Sequence, residues 1–204
     1  MARSPAFAGV ILAAGASSRM GRDKALLPWR GRTLLENHIN LLQAHTDLVI
    51  VVAGANAEVV KPIIYASAAF LVVNPRPELG QFSSLHVGMQ AVLNQGRDAA
   101  IVALVDRPPV HGETLRRLKA EFCDALEHDK WAVVPETNGE HGHPILISRE
   151  MIEAFLRAPR TSNAREVMHA QEERIRYVAV SDAAAATNWN TPEDYAKALT
   201  ELHS

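Results

Sequence analysis

Residues 9–29 read G-V-I-L-A-A-G-A-S-S-R-M-G-R-D-K-A-L-L-P-W. An apolar run over 7–13 opens the stretch and has the composition of a strand buried on both faces. A loop follows in which Ala13, Ala14, Gly15, Ala16, Ser17, Ser18 and Gly21 surround two long cations, Arg19 and Lys24, with Arg22 beside them. Small residues let backbone N–H groups approach an anion, and the cations bring charge where several oxygens need neutralising. The stretch reads as a phosphate cradle. Gly15 and Gly21 are too far apart for a Walker A loop, no Ser or Thr follows Lys24, and G-x-G-x-x-G is absent. Composition alone leaves a glycine-rich turn after an edge strand equally open.

Outward from this loop, strand and helix patterns alternate. Thr33 with Glu36 three residues on has capping-box spacing, and Leu34, Leu35, His38, Ile39, Leu41 and Leu42 then recur at helical intervals. Apolar runs over 48–53, 70–73 and 99–105 read as strands, with a short helix over 56–65 between the first two. A helix over 83–92 starts at Ser83, whose hydroxyl with that of Ser84 and the first-turn N–H groups would face a ligand; as a purely structural residue Ser83 is an N-cap. A helix over 112–123 follows, with Cys123 expected as a buried residue. Residues 131–147 read strand, loop, strand, and helices over 151–156 and 164–169 flank Pro159, with Asn163 as a cap. Arg160 and Arg165 are read as solvated. A last strand over 174–180 precedes a short turn at 183–186. Thr191-Pro192-Glu193-Asp194 starts a final helix, with Thr191 as N-cap and acids in the first turn. This alternation predicts an α/β fold with a mostly parallel sheet covered by helices.

The strand over 99–105 ends in Asp106-Arg107-Pro108-Pro109. A carboxylate at the carboxyl end of a central strand lies at the crevice where open α/β sheets bind ligands. Magnesium takes hard oxygen donors, often one or two carboxylates plus substrate phosphates, so Asp106 is the leading metal ligand; a turn or cap role is the plain alternative. His141 and His143 form an H-x-H pair, but no third ligand falls at a fitting spacing, and neutral hydrogen-bonding imidazoles are the expected role.

At 204 residues the chain suffices for one domain with its own core, expected over 1–204. A formal net charge of −2 leaves no basic field for nucleic acid. The single cysteine excludes an internal disulfide framework and a Cys-cluster metal site, which suits a reducing compartment. No apolar h-region opens the chain and no apolar span reaches membrane length, so a soluble, cytoplasmic protein is expected.

The ordered string L-A-A-G-x-S-x-R-M-G-x-x-K-x-L-L-P over 12–28 resembles the signature loop of the MobA-like NTP transferase family, and in particular its molybdenum cofactor cytidylyltransferase branch. Further family patterns recur to residue 194. N-P…G…S-S-x…G carries Asn74, Ser83 and Ser84; D-x-P begins at Asp106, with Val105 in place of the usual glycine; G-H-P is Gly142-His143-Pro144. The resemblance implies a Rossmann-like, glycosyltransferase-A-like nucleotidyltransferase fold. It implies nucleotide contacts from Leu12, Ala13, Ala14, Gly15, Ser17, Arg19, Lys24, Asn74, Ser83, Ser84 and Asp106, with Lys24, Arg19 and Asp106 catalytic. It places the acceptor at Gly142, His143 and Pro144, and Mg2+ on Asp106 and Asn190. The family usually carries aspartates where this chain has Asn188 and Asn190, and an amide oxygen can ligate magnesium but brings no charge. The implied reaction moves a nucleoside monophosphate from a nucleoside triphosphate onto molybdopterin cofactor. CTP is favoured because the loop reads L-A-A-G where guanylyl transfer is associated with L-A-G-G, and a molybdoenzyme is a candidate partner. GTP as donor, a sugar or polyol phosphate as acceptor, and a non-catalytic cofactor chaperone remain open.

Overall fold

The computed structural model describes residues 5–15, 23–189 and 191–202, so the expectations for Ser17, Arg19 and Asn190 lie outside the described residues. The first strand, β1 (Phe7–Leu12), is buried along its whole length. A small hairpin, β2 (Pro28–Trp29) with β3 (Arg32–Thr33), leads into α1 (Leu34–Gln43). The expected capping box is formed: the Glu36 N–H donates to Thr33 Oγ1, and Glu36 accepts from the Thr33 N–H. Then come β4 (Leu48–Ala53), α2 (Ala57–Ala66), β5 (Phe70–Val73), α3 (Gln81–Asn94) and β6 (Ala99–Leu104). After α4 (Gly112–Glu127), strands β7 (Ala132–Thr137), β8 (Glu140–His141) and β9 (Ile145–Ser148) precede α5 (Arg149–Arg157) and α6 (Ala164–His169). The last elements are β10 (Ile175–Ala179) and α7 (Pro192–Leu202).

The strands lie in the order β5-β4-β1-β6-β9-β7-β10, with β8 added to β7. Pairings β4–β5, β1–β4, β1–β6 and β7–β10 are parallel, whereas β9 runs antiparallel to both β6 and β7. The expected mostly parallel sheet is therefore present. Its reversal at β9 is possible because a short excursion over 138–144 joins β7 to its neighbour, where a parallel pair would need a long crossover.

Period-2 alternation splits the apolar side chains between two layers. Ile11, Val51 and Ile101 join Leu35, Ile39, Val60, Leu118 and Phe122 on the face covered by α1, α2 and α4. Val10, Ile50 and Val102 join Leu85, Met89, Ile152 and Phe155 on the face covered by α3 and α5. Each fully buried Leu, Ile or Phe contributes about 1.5–3 kcal/mol, so these two layers supply most of the drive for folding. Helix α3 can approach the sheet because Gly88 has no side chain: a Cβ there would stand 3.0 Å from Val10 Cγ1 and 3.1 Å from Val52 Cγ2. No helix among the described residues is long and apolar enough to cross a membrane.

Two local expectations are corrected. Helix α3 begins at Gln81 behind Gly80, whose φ of +89° no branched residue adopts easily, so Ser83 is the third helical residue and not the N-cap. Cys123 is exposed, because the buried face of α4 is made by Leu115, Leu118, Phe122 and Ala125.

Candidate active site

Strand order reverses between β1 and β6: from β1 the chain moves out through β4 and β5, then returns to β6 on the other side. The loops leaving β1 and β6 therefore stand side by side at the carboxyl end of the sheet, where ligands enter such folds. The first loop brings Lys24 and the second brings Asp106, with Lys24 Nζ 3.6 Å from Asp106 Oδ2. The Asp106 side chain is 43% exposed and that of Lys24 only 13%, so the carboxylate is open to the cleft over a mostly buried cation.

Lys24 sits on a short 3-10 turn, Lys24–Leu26, capped by Asp23 through the Ala25 N–H (2.9 Å to Oδ1). Its ammonium also donates to the Trp189 carbonyl at 2.7 Å, and the Trp189 N–H reaches the Asp106 carbonyl at 3.4 Å. The segment before α7 thus bridges the two loops. It is anchored by aromatic packing: Trp189 is 2% exposed and its ring lies 4.7 Å from Trp29 and 5.5 Å from Tyr195. The Thr191 N–H donates to Asp194 and the Asp194 N–H to Thr191 Oγ1, as expected for a capped start of α7.

Upstream, the same segment crosses the loop expected to hold the acceptor. The Ala185 carbonyl accepts from the His143 N–H at 2.9 Å and from Arg107 Nη1 at 3.2 Å. A Cβ on Gly142 would lie 2.1 Å from that carbonyl oxygen, so only glycine lets the two backbones cross. Asp182 pins the segment's beginning: its Oδ2 accepts from the His111 N–H, from Thr114 Oγ1 and from the His111 ring, bonds that hold its carboxyl below the usual range against the opposing effect of burial.

Behind Asp106, His38, Arg107, His143 and Pro144 line a small cavity walled by Leu41 and Val110. His38 Nε2 lies 2.9 Å from the Arg107 carbonyl, which only accepts, so Nε2 carries the proton and Nδ1 is bare. Burial holds the His38 pKa down to about 4 and that of His143 to about 3, with the Arg107 charge adding to the latter, so both imidazoles are neutral near pH 7. His141 faces elsewhere, stacked 4.0 Å from the Tyr177 ring and 3.4 Å from Glu136. No group of three His, Cys, Asp or Glu that could hold a metal exists among the described residues. Among the described residues the donor set here is one open carboxylate, Asp106, which fits a divalent cation completed by substrate phosphates and does not fit a closed protein cage.

The remaining expected contacts are placed as follows. Leu12 ends β1 with its side chain in the core, and its carbonyl accepts from the Val105 N–H. The Ala13 N–H donates to the Val52 carbonyl and its own carbonyl accepts from Asn56, so both polar groups are engaged within the fold; Ala14 is half-buried and Gly15 exposed. Asn74 and Ser84 are each only 3% exposed. Asn74 Nδ2 donates to Ser83 Oγ (2.8 Å) and Ser84 Oγ (3.0 Å), and Asn74 Oδ1 accepts from the Arg76 N–H. Ser83 Oγ donates in turn to the Arg76 and Gly80 carbonyls, so these side chains tie the 74–80 loop to the start of α3. Three residues at the site, Asn56, Arg107 and Trp189, carried no local signal beyond their residue type; only their partners far along the chain give them a place there.

Residues 9–175 match the MobA-like NTP transferase domain. A molybdenum cofactor guanylyltransferase of Xanthomonas euvesicatoria pv. vesicatoria (strain 85-10) is 31% identical over 199 residues, covering 95% of this chain and 94% of that protein. A molybdenum cofactor cytidylyltransferase of Escherichia coli (strain K12) is 27% identical over 187 residues, covering 91% and 92%. The crystal structure of Rv0371c from Mycobacterium tuberculosis H37Rv matches with a TM-score of 0.80 at 28% identity, over 97% of this chain and 99% of that one. The same protein in complex with manganese matches with a TM-score of 0.75 at 27% identity, over 95% and 98%. With Lys24 and the strand-end carboxylate Asp106 meeting at the β1/β6 crevice, the chain belongs to the MobA-like NTP transferase family.

Proposed function

We propose that this protein transfers a nucleoside monophosphate, from CTP by preference, onto the phosphate of molybdopterin cofactor and releases pyrophosphate. The observation that carries the reading is the Lys24–Asp106 pair at the switch point of the sheet. Both related enzymes named above act on molybdenum cofactor, which supports the acceptor. For the base, support comes from the loop sequence, which reads L-A-A-G over 12–15 where guanylyl transfer is associated with L-A-G-G.

An oxygen of the acceptor phosphate attacks the α-phosphorus in line; the new P–O bond forms as the bond to the β-phosphate oxygen breaks, and pyrophosphate carries off the electron pair. Such transfer asks for positioning and charge neutralisation and needs no covalent nucleophile. Lys24, held by the Trp189 carbonyl, places its charge at the phosphoryl oxygens, with Arg19 as its partner on the same loop. The Ala14 and Gly15 backbone, continuing to Ser17, borders the triphosphate. Gly142, His143 and Pro144 border the acceptor, with His143 neutral and able to hydrogen-bond without adding charge. Asp106, with Asn190 as second donor, would hold Mg2+, which supplies charge neutralisation along the triphosphate when bound; the manganese complex of Rv0371c supports a divalent cation.

The test is pyrophosphate release from CTP, GTP, ATP and UTP with molybdenum cofactor and Mg2+, for wild type and Asp106→Ala. Release should be fastest with CTP and lost in Asp106→Ala. Faster release with GTP would overturn the base assignment, and full activity of Asp106→Ala would remove the metal role. No release with any nucleotide, with cofactor binding retained, would replace transfer by cofactor carriage.

A further inference from the structure

Asn56 stands at the N-cap of α2, a position where asparagine usually accepts a hydrogen bond from the helix, yet its side chain makes no such bond. The amide is turned the other way. Its Oδ1 accepts from the Gly54 N–H at 3.0 Å, and its Nδ2 donates to the Ala13 carbonyl at 2.9 Å and to Asp23 Oδ2 at 2.6 Å. Ala13 is the last residue before the small-residue loop of 14–22, and Asp23 is the first after it. One amide group therefore fastens both ends of that loop. The second end leads directly to Lys24, because the other oxygen of the Asp23 carboxylate caps the turn that carries this lysine. The fit is close: a Cβ on Gly54 would lie 2.9 Å from the Ala14 carbonyl oxygen, so the turn bearing Asn56 lies against the loop's first residue.

We propose that Asn56 is a positioning residue for nucleotide transfer, a clasp that holds Ala13 and Asp23 together before substrate arrives and so presets Lys24. Without it, the ends of the loop must be brought together when the triphosphate binds, and the entropy of closing the loop is charged to binding. Asn56 touches neither substrate; it acts through Ala13 and through Asp23. The inference rests on the reading of this loop as the triphosphate site.

The experiment compares wild type, Asn56→Ala, Asn56→Ser, Asn56→Asp and the exchanged double variant Asp23→Asn/Asn56→Asp. Steady-state kinetics are measured with MgCTP and MgGTP against molybdenum cofactor, together with equilibrium binding of each nucleotide by calorimetry and thermal melts. In Asn56→Ala the KM and Kd for the nucleotide should rise about tenfold while the acceptor KM stays within about twofold, a split that a general loss of packing does not produce. Asn56→Asp sets two carboxylates face to face and should bind nucleotide more weakly still. The double variant restores the donor–acceptor pair between positions 23 and 56, though not the donor to the Ala13 carbonyl, and should recover at least fivefold over Asn56→Asp while binding more weakly than wild type. Unchanged nucleotide affinity in Asn56→Ala, equal changes in both KM values, or no recovery in the exchange would each overturn the clasp. If Asn56→Ala does not fold, Asn56→Ser, whose hydroxyl can still accept from the Gly54 N–H but is too short to reach Ala13 and Asp23, decides by the same split. If wild type transfers no nucleotide at all, the proposed reaction fails, and the calorimetric comparison still decides the clasp.

Discussion

Lowering the pH from 7.5 to 5.0 should destabilise this protein through its buried imidazoles, His38 and His143, and the share of His38 can be isolated. His38 is 3% exposed, gives its Nε2 proton to the Arg107 carbonyl, and has no partner for Nδ1. Protonating Nδ1 would bury a charge, and this desolvation outweighs the help from the Arg107 carbonyl and Asp106, holding the pKa to about 4. In the unfolded chain a histidine takes up its proton near pH 6.5. Between those values the unfolded state binds more protons, so stability is complete above pH 6.5 and falls as the pH drops towards 4. At 1.36 kcal/mol per pH unit the whole interval is worth about 3 kcal/mol, of which about 2 kcal/mol is lost by pH 5. His38→Gln keeps a neutral N–H donor for the Arg107 carbonyl and removes the titration. Urea unfolding of both proteins at pH 7.5 and 5.0 should show the wild type losing about 2 kcal/mol more than the variant. His143, lowered to about 3, titrates in both proteins and cancels in the comparison. Equal losses in the two proteins would refute the assignment of a neutral, buried His38.

Gly142→Ala should drive the Ala185 carbonyl back, since the new methyl would stand 2.1 Å from its oxygen, and break its bonds from His143 and Arg107. The expected cost is about 2–4 kcal/mol, seen as a fall of several degrees in Tm with a raised acceptor KM; an unchanged melt would contradict it. Trp189→Ala removes a ring packed on Trp29 and Tyr195 and should cost about 3–5 kcal/mol. Limited proteolysis should then cut at 187–192 faster than in wild type. Lys24→Met keeps the length of the side chain without its charge and should lower kcat in the pyrophosphate-release assay by about 10²–10³, with a fall of a few degrees in Tm as the Trp189 carbonyl loses its donor. A chelator should abolish release and added Mg2+ or Mn2+ restore it; activity that persists in excess chelator would exclude a divalent cation at Asp106.

Much of the fold was readable without coordinates because the signals are local. Continuous apolar runs over 7–12, 48–53 and 99–104 require strands with both faces covered, and Thr33 with Glu36, Asn163 and Thr191 mark helix starts through bonds three residues long. Local pattern misled where a neighbour outbid it. Ser83 has the right chemistry for an N-cap, but Gly80, with its positive φ, starts the helix first and leaves the serine to Asn74. Cys123 follows Phe122 along α4, and one step of 100° around the helix axis separates a buried ring from an exposed thiol.

The sequence alone determined the α/β class, the small-residue loop that follows the first strand and the strand-end carboxylate Asp106, because each depends on residues within a few positions of one another. Tertiary structure decided that Lys24 meets Asp106, that the Trp189 carbonyl holds Lys24 across 165 residues, and that Asn56 reaches Ala13 and Asp23 across 43 and 33. Those contacts depend on the sheet order 5-4-1-6, which brings the ends of β1, β4 and β6 together. A hydrogen bond between distant segments leaves no periodicity in either of them, so a lone Asn, Arg or Trp shows its partner only once the backbone has been folded around it.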